Sequence, residues 1–514
     1  MAVFSNKHAN VQRVFYSGFD GGLNLSVPNE ALPKNELKEA MNVEFSPLTG
    51  CMKVRGGLVW SGRFGVSGIS DNKIIDVVPV VGRKGFIVKA QGTDTPWYFR
   101  WSNILKVSGA ISRAAKMSIV SWRDEDDKEC WLIAAGGMLT KFTDNLSPKI
   151  EYITNAPMCK LVFVRENRIG VVTNDDQIRF SAFGDCENWT NNPEDESSAQ
   201  FLNEIGYKDG MKIDAVVPLS KDLIIFKSPE GEPDKGIIYR LTGEYPDWQV
   251  VEVAHNTGTF SQQSVCVVGS DIYYATVAGI ATLSTVTSYG EIRTSWPDRK
   301  VNNALTPELD RTAQLYDVPV KQQLWVQPNR TSNKIWVFDY ARGIWTTFEF
   351  PKLVKYTAGV DNRLFLFIEK DIYEVNDAYT QDELMDASGN FKSYIIAAKM
   401  RLGTLLNGMQ TLIKGAFASL DLMPSCKAEL VLGKYKMKFT YPGSPEDYIY
   451  GDPANNNSNY YQKAYDDDDP LLPDNGVLTS RQECIVRDWA VTPEIVINGG
   501  GCSVSTIGLE VVEV

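Results

Sequence analysis

The sequence predicts an all-β protein: a β-propeller of five to seven blades, with an N-terminal arm and a C-terminal antiparallel β-sandwich. Three observations carry that expectation. Between Ile213 and Ser284, seven short runs rich in Val, Ile and Tyr follow one another, separated by Gly, Pro, Asp or Ser clusters. That is the grammar of consecutive antiparallel strands joined by tight turns. Within this block no stretch of useful length carries a helical period. The same grammar recurs on both sides at a spacing of roughly 30–55 residues, the range of propeller blades.

Taken in order, residues 1–72 form an arm with little core of its own, expected to lie on its own propeller or on a neighbouring subunit. Gly18-Phe-Asp-Gly-Gly-Leu-Asn is an extended, glycine-punctuated stretch. The run from Leu32 to Asn42 predicts about three helical turns, with Pro33 in the first turn and Leu37, Ala40 and Met41 on one face. Asn42 to Leu58 then predicts a hairpin turning at Pro47 to Gly50. Residues 73–376 are the propeller, with units starting near Ile74, Ala114, Lys160, Ile213, Ser264, Gln323 and Tyr356. The stretch from Ile335 to Phe348 predicts a hairpin with aromatic cross-strand pairs. Residues 377–514 are the sandwich domain. Residues 376–392 are polar and read as a linker. After them, strands such as Lys427-Ala-Glu-Leu-Val-Leu and Ser503-Val-Ser-Thr-Ile alternate at period two, as half-buried sheets do. Residues 442–475, rich in Pro, Asn and Asp, predict a long exposed loop.

Composition narrows the function. The 514 residues carry a net charge of −12, which argues against a general nucleic-acid clamp, since such a clamp needs a basic face to displace counterions. An acidic surface past which DNA slides without sticking remains compatible. No apolar h-region opens the chain and no run of 18 apolar residues occurs, so neither a signal peptide nor membrane insertion is expected. The eight cysteines are scattered without a Cys-x-x-Cys pair; free thiols buried as small hydrophobes in a cytosol-made protein are expected.

Catalytic chemistry finds little support. Only His8 and His255 exist, so no Ser-His-Asp arrangement or His-based metal site can be built. No catalytic residue, cofactor or metal is expected. Asp466, Asp467, Asp468 and Asp469 form an acidic run without the spacing of a calcium loop; they read as a solvated segment whose role, if any, is contact with a basic patch on a neighbouring protein. Asp124 to Asp127 and Glu194 to Glu196 read as acidic loops. Phe183-Gly-Asp-Cys-Glu-Asn-Trp189 departs from the spacing of a sialidase Asp-box, and Trp189 is expected to staple a turn onto its blade.

Several stretches resemble a known group. Gly18-Phe-Asp-Gly-Gly-Leu-Asn, Leu32-Pro, Ala40-Met-Asn-Val, Gly50 and Lys53-Val-Arg-Gly-Gly resemble the opening of many tailed-phage virion proteins. Phe180-Ser, Trp189, Val217-Pro-Leu, Leu223-Ile-Ile-Phe-Lys, Ile238-Tyr-Arg-Leu-Thr-Gly, Val250-Val-Glu-Val and Val268-Gly-Ser-Asp-Ile-Tyr-Tyr continue the likeness. The group is the phage tail hub or nozzle proteins of the podophage tail tubular protein B type. The resemblance implies a propeller flanked by platform domains built from the arm and the sandwich. It also implies a hexameric ring below the portal and adaptor, contacts with adaptor, portal-proximal and tail fibre or tip proteins, and genomic DNA passing through the lumen without sequence-specific binding. Phe19, Leu23, Asn24, Leu32 and Arg55 are its interaction candidates, with the acidic run of Asp466 to Asp469. The alternatives are a carbohydrate-binding or glycan-cleaving propeller of a phage or bacterium, recognised by converging carboxylates, and a monomeric interaction scaffold.

Overall fold

The computed structural model describes residues 11–46, 50–63, 74–83, 85–90, 94–100, 103–112, 114–124, 126–145, 147–192, 194–202, 205–286, 291–360, 363–386, 388–405, 411–423, 426–440 and 477–513. The chain divides into two compact units. One is Trp60–Ile335 with Lys352–Glu374; the other is Met1–Val59 with Trp336–Pro351 and Val375–Val514.

The first unit is a β-propeller. Blade one comprises Ile74–Pro79, Gly85–Ala90, Trp97–Arg100 and Asn103–Lys106. Blade two is Ser118–Arg123, Glu129–Ala134, Thr140–Thr143 and Lys149–Tyr152, and blade three Cys159–Arg165, Arg168–Thr173, Ile178–Phe180 and Gln200–Leu202. Blade four is Met211–Leu219, Asp222–Pro229, Ile237–Thr242 and Gln249–His255, and blade five Val265–Val268, Asp271–Thr276, Gly279–Val286 and Glu291–Ser295. Blade six opens with Gln314–Val318 and Gln323–Gln327, and blade seven with Tyr356–Val360, Arg363–Ile368 and Asp371–Asn376. Residues 60–63 of strand Gly57–Arg63, from the start of the chain, complete the outer edge of blade seven. There Arg63 clamps Asp371 through two bonds of 2.6 and 2.9 Å. The innermost strands pack in sequence from blade one to blade seven, and blade seven packs on blade one. The ring is closed, so no terminal blade is left with an uncovered sheet face, and the blades keep only short outer edges. Among the described residues the blade count is seven. Blade six starts at Gln314 rather than near Gln323, because a short helix, Asn302–Leu305, and a 3-10 turn hide a weakly alternating first strand.

The local reasons are visible in blade four. Its second strand, Asp222–Pro229, is flanked on both sides and inside the ring, and Leu223 to Ser228 are all buried. A strand covered on both faces needs a continuous apolar run rather than alternation. The outermost strand, Gln249–His255, has no buried residue and mixes polar with apolar side chains. The blades also share a feature that their letters do not. The innermost strands of blades one, three and four each carry a β-bulge near their start, at Ile75, Lys160 and Asp214. A bulge adds local twist and re-aims a side chain, so the repeat lies in backbone geometry where residue identity has diverged.

The second unit gathers strands from both ends of the chain. One sheet runs in the order Val477–Asp488, Thr411–Asp421, Ser503–Glu513, Cys51–Val54, Val43–Ser46, and Val11–Ser17 also pairs with Ser503–Glu513. The other includes Ile344–Glu349, Glu39–Met41, Ala397–Arg401, Pro493–Asn498, Lys427–Leu432 and Tyr435–Thr440 in that order. Its inner face holds Ala398, Met400, Ile495, Ile497, Ala428 and Leu430, all buried. Its outer face carries a square of charges, in which Lys399 and Arg401 each pair with both Glu39 and Glu494 at 3.0–3.3 Å.

Two expectations are corrected here. The helix expected over Leu32 to Asn42 is absent. Glu36–Leu37 pairs in parallel with Gly22–Leu23, and Glu39–Met41 lies between Ile344–Glu349 and Ala397–Arg401. Three helical turns are marginal on their own; here the backbone groups are satisfied by flanking strands instead, and Asn42 at φ +57° breaks any continuation. The stretch 376–392 is not a plain linker. Gln381–Met385 pairs with Phe391–Ile395 as a hairpin, turned through Gly389 at φ +86°. The expected hairpin of Val43–Ser46 with Cys51–Val54 is present, although residues 47–49 of its turn lie outside the described residues. The aromatic hairpin near residue 340 has Phe338 stacked on Trp345 at 4.8 Å.

Candidate functional site: the N-terminal clasp and the propeller axis

The N-terminal residues singled out in the sequence form an internal clasp. Phe19 is fully buried at φ +44°. Gly22 sits at φ +63°, where a Cβ would lie 2.3 Å from Ile344 Cγ2, so only glycine fits. Leu23 is buried, and Asn24 donates to Glu36 Oε2 at 2.5 Å while its own oxygen accepts from the Ser26 amide at 3.0 Å. Leu32 is buried as the 3-10 turn Asn29–Ala31 ends.

Arg55 is the centre of the clasp, 1% exposed. Its Nε donates to Asn42 Oδ1 at 3.0 Å. Nη1 donates to the Gly56 carbonyl and Asp382 Oδ1, each at 2.9 Å. Nη2 donates to the Glu349 carbonyl at 3.1 Å and Asp382 Oδ2 at 2.7 Å. All five guanidinium donors are therefore used, and the plane lies over the Phe350 ring at 4.4 Å. Asp382 also accepts the Leu58 amide at 3.1 Å, and Asn42 donates to the Ala397 carbonyl at 2.8 Å. Five separate segments are tied through one guanidinium and one amide.

Phe19, Leu23, Asn24, Leu32 and Arg55 thus hold their own unit together; their side chains are not offered at a surface. Asp466, Asp467, Asp468 and Asp469 lie outside the described residues, as does His8. Asp382 went unnoticed because it lies in the stretch taken for a linker. The available signal was the Asp386, Gly389, Asn390 turn flanked by two alternating runs. Asp386 indeed accepts the amides of Ser388 and Asn390 at 2.9 and 2.8 Å.

The propeller has a second cluster at its axis. Asp76, on the first strand of blade one, accepts the Val77 amide at 3.1 Å and Gln263 Nε2 at 2.9 Å. It also accepts the Met117 amide. Gln263 comes from the turn entering blade five, and its oxygen accepts from Gln314 Nε2 of blade six at 3.1 Å. Tyr356 of blade seven donates to the Ile75 carbonyl and lies beneath Arg330 at 4.5 Å. Blades one and five are not neighbours, so the Gln263–Asp76 bond bridges the axis. Burial raises the Asp76 carboxyl above the usual range and lowers the Lys116 ammonium to about 8, with the Arg330 charge adding to the second effect.

Between blades three and four lie Lys160, Asp176, Asp214 and Ser228. Asp176 pairs with Lys160 and accepts the Ile213 amide at 2.7 Å. The Ser228 hydroxyl donates to Asp214. Burial pushes the Asp214 carboxyl up to about 7, a shift that Ser228, Lys160 and Lys212 oppose and Asp176 reinforces. A cleft of about 660 Å³ also lies at this junction. Its charges are largely compensated: Arg240 holds Asp222 at 2.6 Å, and Arg165 donates to three carbonyls and pairs with Glu166 at 3.1 Å.

Other singled-out residues are structural. Trp189 donates to the Cys186 carbonyl at 2.9 Å and packs on the core of blades two and three. His255 is exposed beside Glu252 at 3.1 Å. All eight cysteines are free thiols. Among the described residues no group of three or more His, Cys, Asp or Glu side chains could hold a metal, and no helix is long and apolar enough to cross a membrane.

No family model matches the chain, and no curated protein matches it. Solved structures do. YCF48 from Cyanidioschyzon merolae is similar over 62% of this chain and 99% of its own, at 9% identity and a TM-score of 0.40. BamB from Moraxella catarrhalis is similar over 62% of this chain and 96% of its own, at 9% identity and a TM-score of 0.31. BBS1N in complex with ARL6DN covers 63% of this chain and 98% of its own, at 13% identity and a TM-score of 0.38. The propeller assignment stands on the seven closed blades of this chain.

Proposed function

We propose that this protein is a structural subunit of a phage tail hub or nozzle, in which about six copies surround a channel for DNA below the portal and adaptor. The supporting observation is the clasp. The segment that resembles the opening of the tail tubular protein B group contains Phe19, Gly22, Asn24 and Arg55, and each has a defined buried job. The resembling letters are thus those the fold needs to fasten the arm into a platform unit.

The mechanism is passive. The propeller axis is bridged by Gln263 and Asp76, so the DNA path runs between copies rather than through any one propeller. The net charge of −12 keeps phosphates from adhering to the walls. The chain is not an enzyme in this reading, and it is carried in the virion after synthesis in the host cytoplasm.

The test is solution mass by light scattering, for the chain alone and mixed with adaptor, portal-proximal and tail tip proteins. A ring-sized particle in either setting is the expected result. A chain that stays single in every mixture overturns the proposal and redirects attention to glycan binding by the Asp176–Asp214 junction.

A further inference from the structure

Two strands of the composite unit display unusual faces. Val11 and Phe15, 49% and 44% exposed, share one face of strand Val11–Ser17. Arg13 stands between them with a 65% exposed side chain, held only by a 3.4 Å contact to Glu510. Phe15 is backed edge-on by Phe417 at 5.4 Å, which fixes its ring. Phe391 and Ile395, 57% and 63% exposed, share one face of strand Phe391–Ile395. The hairpin register sets Glu383 opposite Ser393, between those two side chains, and Met385 opposite Phe391. The other face of the same hairpin turns Asp382 and Leu384 inward, both buried, so the outward face is fixed by the clasp.

Both strands are edges among the described residues: Val11–Ser17 pairs with Ser503–Glu513, and Phe391–Ile395 with Gln381–Met385. Alternate residues of any strand repeat at roughly 6.5–7 Å, so the two faces share a period. One face reads Val11, Arg13, Phe15 along a single strand; the other sets Phe391 and Ile395 on either side of Ser393, with Glu383 of the paired strand directly opposite Ser393. Edge strands that avoid association carry charge on their exposed positions; on these two faces large apolar groups flank one charge each, Arg13 on the first and Glu383 on the second, and the exposed Lys392 lies on the opposite face of its hairpin, opposite Leu384.

We propose that these faces meet between copies of this chain, strand Val11–Ser17 of one copy lying against the 381–395 hairpin of the next, with Arg13 against Glu383 and the four apolar side chains around them. The inference rests on the ring reading above and names its contact. Two different, mutually complementary faces on one chain make a head-to-tail interface, the type that closes into a ring when the rotation allows.

The test uses the full chain under whichever conditions give the wild-type assembly, with solution mass as readout. Glu383→Arg and Phe391→Asp are each expected to weaken association at least tenfold and move the mass toward a single chain. Arg13→Glu is expected to do the same, and Arg13→Glu with Glu383→Arg together to restore the assembly. Unaltered thermal midpoints establish folding, and if Phe391→Asp does not fold, the two charge variants decide alone. Assemblies indifferent to all three single changes, or a double variant that fails to recover, overturn this contact while the ring stands. A wild-type chain that never assembles overturns both.

Discussion

The propeller and the composite unit are both built from antiparallel sheet, but they draw on the chain in opposite ways. Blades one to five are each cut from one contiguous stretch, with mostly short connections between strands; the exception is the long loop that precedes Gln200–Leu202 in blade three. The composite unit pairs Val11 with Val512, and Asn42 bonds to Ala397, 355 residues away. Its Arg55–Asp382 pair spans 327 residues. Local sheets can form and be recognised one at a time; a unit assembled from distant segments needs specific fasteners, and those fasteners are polar and buried. Long-range pairing also delays folding, because chain closure comes before any contact is made.

The comparison is tested most severely at the fastener. Asp382→Ala leaves the Arg55 guanidinium buried with two donors and a charge uncompensated, and should cost about 3–5 kcal/mol. Hydrogen exchange should show the loss in Ala397–Arg401 and Val43–Ser46, with the strands of blade four keeping their protection. Equal loss in both places would mean that the two regions do not differ as described.

A second test lies within the propeller. Burial raises the Asp214 carboxyl to about 7, against an unfolded value near 4. The folded form therefore binds the proton more tightly. The stability this group contributes is present below about pH 4 and is lost as pH rises through about 7. Asp214→Asn should gain about 1–3 kcal/mol over the wild type near pH 8 and nothing near pH 4. Denaturant melts at the two pH values decide it; a gain independent of pH contradicts the assignment.

Smaller effects sharpen the contrast. Gln263→Ala removes one of the donors to Asp76 and should cost roughly 1–2 kcal/mol in denaturant unfolding, because Met117 and Val77 still satisfy that carboxylate. Lys399→Ala breaks one corner of a half-buried charge square on the outer face of its sheet and should cost under about 1 kcal/mol, less still in high salt. A larger loss at Lys399 than at Gln263 would reverse the ranking of buried over surface polar contacts.

What could be read from the sequence follows the same division. Six of the seven blade starts lie close to where the pattern placed them, since hairpin grammar is local. The sixth was hidden by its weak alternation at Gln314–Val318. In the other unit, the helix expected over Leu32 to Asn42 gave way to strands supplied by residues 344–349 and 397–401, neighbours that no local window contains. Arg55 was visible as a motif residue, but its partner Asp382 was not, because a carboxylate in a polar stretch carries no mark of the cation it will meet. The axial bond of Gln263 to Asp76 was equally silent, since it depends on how the ring closes.

The most direct test of the account is an end-on image of the assembled particle, by electron microscopy of the chain with its tail partners. The account predicts a ring with one hole on the symmetry axis, wide enough for duplex DNA, and propellers whose own centres are closed. Particles without a central hole, or with open density along each propeller axis, would contradict it.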